Sequence, residues 1–278
     1  MPCAQNLRRT KSFRGVSLAD KVPATMLPDG SLLSFVAPAS AAGDAIALHA
    51  RERPGFEDRV EAAVALLAEA AHRHAGRIVQ ASSLGVEDQV VTDLIARHRL
   101  PIAVATLETG KLHPETLALI DTTERRHGLS IERHRPVAES VIAFVGRNGE
   151  DAMRRSVDLR KACCGMRKLE PLQRLLAGRD AWITGLRREQ STERSVVGER
   201  ETGDDGRVKL SPLASWSNAD TWHYVRLFDV PYNPLHDRFF QSIGCEPCTR
   251  ATALGEDPRA GRWWWEQGVK ECGLHTAS

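Results

Sequence analysis

From Glu57 to Thr184 the chain alternates short apolar runs with longer amphipathic segments, and no other feature restricts its fold as much. Glu57 to His74 sets Val60, Ala63, Val64, Leu67, Ala68 and Ala71 at helical spacing. Arg77 to Ala81 reads as a strand, and after a loop Val90, Val91, Leu94 and Ile95 share one helix face. Ile102 to Leu107 is a second buried strand. Pro114 then opens a helix through Arg126, at a position where its missing N–H costs nothing. Ile131 to His134, a helix near Val137 to Val145, a helix from Lys168 to Leu176 and a strand Ala181 to Thr184 continue the pattern. Strands alternating with helices of this length predict an α/β fold with a mostly parallel sheet covered on both faces. At 278 residues and 42% hydrophobic, the chain can fill such a core.

Before Phe56 the pattern fails. Pro2, Pro23, Pro28, Gly30, Pro38 and Gly43 interrupt every periodicity, so the folded body is expected from about Phe56 onward. Arg8, Arg9, Lys11 and Arg14 precede the first acid, Asp20, a bias shared with transit peptides. The run Leu32 to Ala42 imitates a signal peptide, but it lies far from Met1 and contains Pro38, so an unstructured tail is the expectation. No apolar run is long enough to span a bilayer. With 38 Lys and Arg against 36 Asp and Glu, no global field marks a nucleic-acid or membrane binder. Any anion site has to be local.

Three loops offer one. Ser82-Ser83-Leu84-Gly85-Val86-Glu87-Asp88 joins the first strand to its helix and directs backbone N–H groups and the positive helix end outward. The second strand ends in Leu107-Glu108-Thr109-Gly110-Lys111, and the strand at Ala181 is followed by a loop with Arg187, Arg188 and Arg194. In a parallel sheet all three lie at the carboxyl edge, where ligands bind. Singly each loop is ordinary capping or turn chemistry; together they predict a nucleotide crevice.

The six cysteines are too few for a disulfide scaffold, which a chain this long does not need. Cys163 and Cys164 are adjacent, and Cys245-Glu246-Pro247-Cys248 is a C-x-x-C. A disulfide between neighbours is strained, so four thiolates from two loops suggest a metal centre. An iron-sulfur cluster, a zinc ion and plain core cysteines all remain open on spacing alone, although zinc seldom takes directly adjacent cysteines. Lys168 lies one turn beyond Cys164 if a helix starts at the pair, close enough to counter thiolate charge.

Cys272 stands in Lys270-Glu271-Cys272-Gly273-Leu274-His275 near the carboxyl terminus. An accessible thiol close in sequence to Lys270 and His275 is a candidate nucleophile. Cys3 receives no role. Upstream, Arg259-Ala260-Gly261-Arg262-Trp263-Trp264-Trp265 brings two more cations, and three successive tryptophans cannot share one face. Core packing of two of them is expected.

In that order along the chain, Ser82-Ser83-Leu84-Gly85-Val86-Glu87-Asp88, Thr109-Gly110-Lys111-Leu112-His113-Pro114-Glu115, Cys163-Cys164-Gly165-Met166-Arg167-Lys168, Ile243-Gly244-Cys245-Glu246-Pro247-Cys248, Gly261-Arg262-Trp263-Trp264-Trp265-Glu266 and Lys270-Glu271-Cys272-Gly273-Leu274-His275 resemble the assimilatory adenylyl-sulfate (APS) reductases of bacteria. The resemblance covers roughly Phe56 to His275. It implies an adenine nucleotide α-hydrolase-like fold and thioredoxin-dependent reduction of APS to sulfite and AMP, in sulfate assimilation for cysteine biosynthesis. Cys272 would attack the sulfur of APS and form an S-sulfocysteine, which thioredoxin or a glutaredoxin-like protein would resolve. Cys163, Cys164, Cys245 and Cys248 would hold a [4Fe-4S] cluster that carries no electrons of the reaction. Lys168 would link it electrostatically to the sulfate end of the substrate, and Arg259, Arg262 and His275 would close over that end. Ser82, Gly85, Leu107, Thr109, Gly110 and Arg194 would surround the nucleotide.

The resemblance divides the chain into an extension without ordered structure at 1–55, a nucleotide-binding reductase domain with the iron-sulfur site at 56–255, and a mobile segment carrying Cys272 at 256–278. It also implies a homo-oligomer and a cytoplasmic location, since cluster and free thiol require reducing conditions. Leu84 departs from the family loop, which often has a serine there, and puts that hydroxyl contact in doubt. The related phosphoadenylyl-sulfate (PAPS) reductases keep the tail motif without the cluster cysteines, so four cysteines favour APS. Two other readings stand beside this one: a PAPS or dual-specificity reductase, and a non-catalytic nucleotide sensor with a bound cluster or zinc.

Overall fold

The computed structural model describes residues 45–191 and 194–266. The alternation seen in the sequence is realised as α2 (Phe56–Arg73), β1 (Ile78–Ser82), α3 (Val86–Arg97), β2 (Ala103–Leu107), α4 (Pro114–His127), β3 (Ile131–His134), α5 (Ala138–Asn148), α7 (Glu170–Leu176) and β4 (Ala181–Ile183). Elements outside that reading are α1 (Ala45–His49), α6 (Val157–Cys164), β5 (Arg200–Thr202), β6 (Val208–Leu210) and α8 (Asn218–Phe228).

The strands form one sheet in the order β3-β2-β1-β4-β6-β5. β1 pairs in parallel with β2 and β4, β2 with β3, and β4 with β6; β5 alone runs antiparallel, at the edge. Successive residues of β1 serve opposite faces: Ile78 joins the core built on α2, α3 and α8, whereas Val79 packs against Leu172, Leu175 and Leu176 of α7. Burial on both faces explains why β1 and β2 read as continuous apolar runs. The chain leaves β1 toward β2 and β3, then returns to add β4 on its other side. The crevice between the carboxyl ends of β1 and β4 is therefore the topological switch point of the sheet.

Two boundaries differ from expectation. The folded body begins before Phe56: Ala45 and Ala50 are each 2% exposed in the main core, the Ala45 N–H donates to Asp237 at 2.8 Å, and His49 stacks on Trp222 of α8. A five-residue helix gives too little periodicity to read. Within the segment expected from 256, Trp263 is 1% exposed and belongs to the buried cluster with the four cysteines. Of the three tryptophans, Trp263 packs in the core, Trp265 packs partly against the same cluster, and Trp264 is 38% exposed.

The cysteine pair sits elsewhere than at a helix start. Cys163 and Cys164 end α6, whose N-cap Ser156 accepts from the Leu159 N–H, and the chain runs on through a π-helical turn, Gly165–Leu169, into α7. Pro171 has no N–H to send back to the Arg167 carbonyl, so a regular α-helix would be broken there anyway.

Candidate active site

At the switch point lies a cavity of about 370 Å³. Ser82, Gly85, Leu107, Thr109 and Arg194, expected around the nucleotide, and Lys168, Arg259 and Arg262, expected at the sulfate end, all line it. Gly110 is not among its lining residues. Its φ of 71° makes the turn that lets the Thr109 carbonyl accept from Arg167 Nη1 at 2.7 Å. Leu84 is buried against Val104, Leu119, Ile120 and Ile131 and does not line the cavity. Cys272, His275, Lys270 and Cys3 lie outside the described residues.

The first loop is more self-contained than its composition suggests. Ser83 donates from its backbone N–H and its hydroxyl to Asp88 Oδ2 at 2.7 and 2.6 Å, and the Leu84 N–H goes to Ser82 Oγ. Asp88 Oδ1 accepts the Gly185 N–H at 2.8 Å, tying the β1 loop to the β4 loop across the switch point. The approach is so close that a Cβ on Gly185 would stand 2.8 Å from Asp88. Arg187 is also turned inward: it pairs with Glu87 at 2.9 Å and Glu189 at 3.1 Å. Arg188 donates to the Val197 carbonyl and is not among the cavity's lining residues. Of the three arginines expected there, Arg187 and Arg194 line it, and Arg187 arrives already neutralised.

Burial pushes the Asp88 carboxyl up to about 6, against the pull of the Ser83 and Gly185 donors. Because the folded value exceeds the unfolded one, this group's contribution is fully present below about pH 4 and is lost as pH rises through about 6. The shift corresponds to a few kcal/mol, on the order of 2–3. Asp88→Asn is therefore expected to be less stable than the native chain, with a gap in Tm that narrows by several degrees between acid and neutral pH. Each kcal/mol is worth about 2–4 °C in a domain of this size. Thermal melts of both proteins at the two pH values check it.

Beside the cavity, Cys163, Cys164, Cys245 and Cys248 are all buried and line one narrow space with Met153, Arg160, Arg167, Lys168 and Trp263. The C-x-x-C turn is held to the β2–α4 loop, where the Glu246 N–H donates to the Lys111 carbonyl at 2.8 Å, and to the following segment, where the Trp263 N–H donates to the Cys248 carbonyl. A Cβ on Gly261 would collide with the Arg250 carbonyl, so that close passage requires glycine. Three sulfurs have polar neighbours: Thr109 Oγ1 is 3.3 Å from Cys245 Sγ, Arg167 hydrogen-bonds Cys163, and Arg160 hydrogen-bonds Cys164.

The thiols differ electrostatically. Burial raises Cys245, but Lys168, the Thr109 hydroxyl, Arg262 and Arg167 outweigh it and leave the thiol below its ordinary value. Cys248 is pushed up to about 12 by burial and by Cys245 and Cys164. Burial also raises Cys163, against Arg167. Among the described residues no three His, Cys, Asp or Glu side chains are gathered as one metal ion would need. Lys168, Cys245 and Trp263 line both the cysteine space and the larger cavity, which makes the two sites neighbours.

Several lining residues escaped the sequence reading. His49, Trp222 and His236 form a wall contributed by α1, α8 and the turn Pro234–Arg238, and burial pushes His236 down to about 4. The pairing of Glu87 with Arg187, each singled out in its own loop, escaped it too, since the two meet across 100 residues of sequence.

The phosphoadenosine phosphosulfate reductase domain model matches residues 77–251. A protein of Allochromatium vinosum named adenosine 5'-phosphosulfate reductase is 52% identical over 219 residues, covering 78% of this chain and 85% of that one. One of the same name from Burkholderia cepacia is 50% identical over 227 residues, covering 81% and 90%. Among solved structures, the phosphoadenylyl-sulfate reductase of Candida auris superposes with a TM-score of 0.57 at 23% identity, over 71% of this chain and 97% of that one. That likeness concerns the fold.

Proposed function

The chain belongs to the phosphoadenosine phosphosulfate reductase domain family, among the adenosine 5'-phosphosulfate reductases, oxidoreductases of sulfur compounds, and we propose that it reduces APS to sulfite and AMP with electrons from thioredoxin. One observation carries the reading: a nucleotide-sized cavity at the switch point shares Lys168 and Cys245 with a buried set of four cysteines.

In the proposed reaction the thiolate of Cys272 attacks the sulfur of APS. An S–S bond forms, the bond from sulfur to the bridging oxygen breaks, and AMP leaves with that electron pair. A thioredoxin thiolate then attacks Cys272 Sγ, sulfite departs with the S–S electron pair, and the second thioredoxin thiol closes a disulfide. Two electrons thus pass from the dithiol to sulfur. A thiolate approaching a phosphosulfate dianion is repelled unless cations stand close. Lys168, Arg259 and Arg262 line the cavity for that purpose, with His275 joining them from the tail. Ser82, Gly85, Leu107, Thr109 and Arg194 hold the nucleotide, and Gly110 shapes the turn beside it.

The donor set of the cysteine space suits a [4Fe-4S] cluster. Four buried thiolates in mutual repulsion need a cationic partner, and donors from Arg160, Arg167 and Thr109 reach three of the sulfurs. Zinc seldom takes directly adjacent cysteines such as Cys163 and Cys164. Cys163, Cys164, Cys245 and Cys248 would hold the cluster, which would supply a fixed charge distribution beside the sulfate end and no electrons. The resident thiols call for a reducing compartment, which we take to be the cytoplasm. Among the described residues no helix is long and apolar enough to cross a membrane. The product sulfite fits sulfate assimilation toward cysteine, and a homo-oligomer is carried over as part of the proposal. The proposed division is a catalytic α/β body followed by a segment that delivers Cys272.

Sulfite release from APS and from PAPS, each with reduced thioredoxin, tests the assignment. APS is expected to turn over and PAPS to turn over far more slowly. Turnover of PAPS alone would assign the other substrate, and turnover of neither, with nucleotide still bound, would support a sensor.

A further inference from the structure

Arg262 is 7% exposed and lines the cavity. Its Nη1 donates to Ser242 Oγ at 3.3 Å and to the Ile243 carbonyl at 3.4 Å, and its Nε has no hydrogen-bond partner among the described residues. Apart from the Cys245 sulfur that it faces, no acidic side chain among the described residues pairs with it. Two other buried arginines at the site are different: Arg187 pairs with Glu87 at 2.9 Å, and Arg160 with Glu266 at 2.8 Å. A cation withdrawn from water without a carboxylate is costly, so a site that holds Arg262 in this way favours an anionic ligand.

Two surfaces bound the guanidinium. The centroid of the Trp263 ring lies 4.8 Å from Cζ. On Gly244 a Cβ would stand 2.3 Å from Nη2 and 2.5 Å from Cζ, well inside van der Waals contact. Gly244 does not take a positive φ, so this position needs the space that glycine leaves and not its conformational freedom. The obstacle to a methyl group is the end of a flexible side chain and not backbone, so alanine is accommodated by turning Arg262 aside. The two residues cannot simply move apart, because Thr249 holds both backbones. The Gly244 N–H donates to Thr249 Oγ1 at 3.1 Å, and Thr249 faces Arg262 across an antiparallel bridge.

We propose that Gly244 is a positioning residue for the sulfate end of the substrate: by carrying no side chain, it seats the Arg262 guanidinium beside Trp263 where it binds APS and not AMP. The inference rests on the proposal that Arg262 serves the sulfate end. Gly244 acts through Arg262, and the consequence is selectivity, because the product AMP has no sulfate for Arg262 to hold.

Equilibrium binding of APS and of AMP to the full-length, cluster-loaded protein tests it, in a Cys272→Ser background that prevents turnover. Gly244→Ala is expected to weaken APS binding about 10- to 100-fold, the scale of one charge-assisted hydrogen-bonding group. AMP affinity should stay within about twofold, and iron content and the visible absorption band should not change. Once Arg262 is replaced by alanine, adding Gly244→Ala should alter APS affinity by less than about twofold, since the group it acts through is gone. APS affinity within about twofold of the parent in Gly244→Ala alone would overturn the inference. So would an equal loss for APS and AMP, or a loss that persists in the Arg262→Ala background, either of which would mean that the methyl group obstructs the cavity itself. Loss of iron would make Gly244 part of the cysteine cage instead. If Gly244→Ala does not fold, Arg262→Lys keeps the charge and loses the planar group; at least a fivefold loss of APS affinity, roughly, with AMP unchanged upholds the inference, and a change within about twofold overturns it. Should Arg262→Ala itself leave APS affinity unchanged, the reading of the sulfate end is what fails, and the inference falls with it.

Discussion

With serine in place of Cys272, sulfite release from APS is expected to fall to background while the cysteine centre and nucleotide binding persist. Serine differs from cysteine in two ways that act together. Its hydroxyl is essentially un-ionised at neutral pH, whereas a thiol yields a usable thiolate fraction. The second difference is decisive: an oxygen attacking the sulfur of APS would give a sulfate ester, in which sulfur is still fully oxidised and no S–S bond exists for a thioredoxin thiolate to exchange. The loss is therefore one of reaction type, not of rate alone. Cys163, Cys164, Cys245 and Cys248 belong to a separate buried set, so iron content and absorption in Cys272→Ser should match the native chain. Sulfite production above background by this variant, measured with excess thioredoxin, would remove Cys272 from the mechanism.

Cys245→Ala should have the next largest effect. Cys245 lines both the cysteine space and the substrate cavity, touches Thr109 Oγ1, and is the thiol that its surroundings hold below the ordinary value. Removing it leaves three thiols and strips Lys168 and Arg262 of the negative charge they face. The visible absorption near ~400 nm and the bound iron should disappear together. Activity should fall by at least about 100-fold, because the cationic groups beside the substrate, Lys168 and Arg262, then lose the charge of Cys245 that they face. Stability should fall too, since metal binding by a buried set of thiolates contributes directly to folding. Iron analysis and a spectrum are enough to check it. A variant that retains a full complement of iron would show that Cys245 is not a ligand, and a native protein that binds zinc without iron would replace the cluster altogether.

Much of the framework was legible because it rests on local rules. The strands β1 and β2 are apolar on both faces, α2 and α4 carry clear stripes, and the carboxyl-edge loops could be located once the strands were. The sequence hid what depends on tertiary context. In α8, Asp220 through Val225 are all buried, so no amphipathic stripe marks it. β5 and β6 have three residues each, too few for a period of two to stand out. α6 was missed because its turns lead into the π-helical segment at Gly165, which shifts the register of the following residues. At the site, Lys168, Arg262 and Arg187 were visible as cations in or near motifs, but the carboxylate partner of Arg187, and Arg160 altogether, were not. Arg187 and Arg160 each acquire their meaning from a carboxylate more than ninety residues away, Glu87 at 100 and Glu266 at 106. Leu84 shows the converse: a substitution in a functional loop whose side chain serves the hydrophobic core.

Whether reduction proceeds through a covalent sulfonate on Cys272 is decided by mass spectrometry of the native protein after mixing with APS alone. In the absence of any reductant, one sulfonate group is expected on the peptide containing Cys272 with an equivalent of AMP released, and later addition of reduced thioredoxin is expected to clear the modification and liberate sulfite. An unmodified Cys272 peptide in a protein that nonetheless produces sulfite once thioredoxin is added would contradict the covalent route.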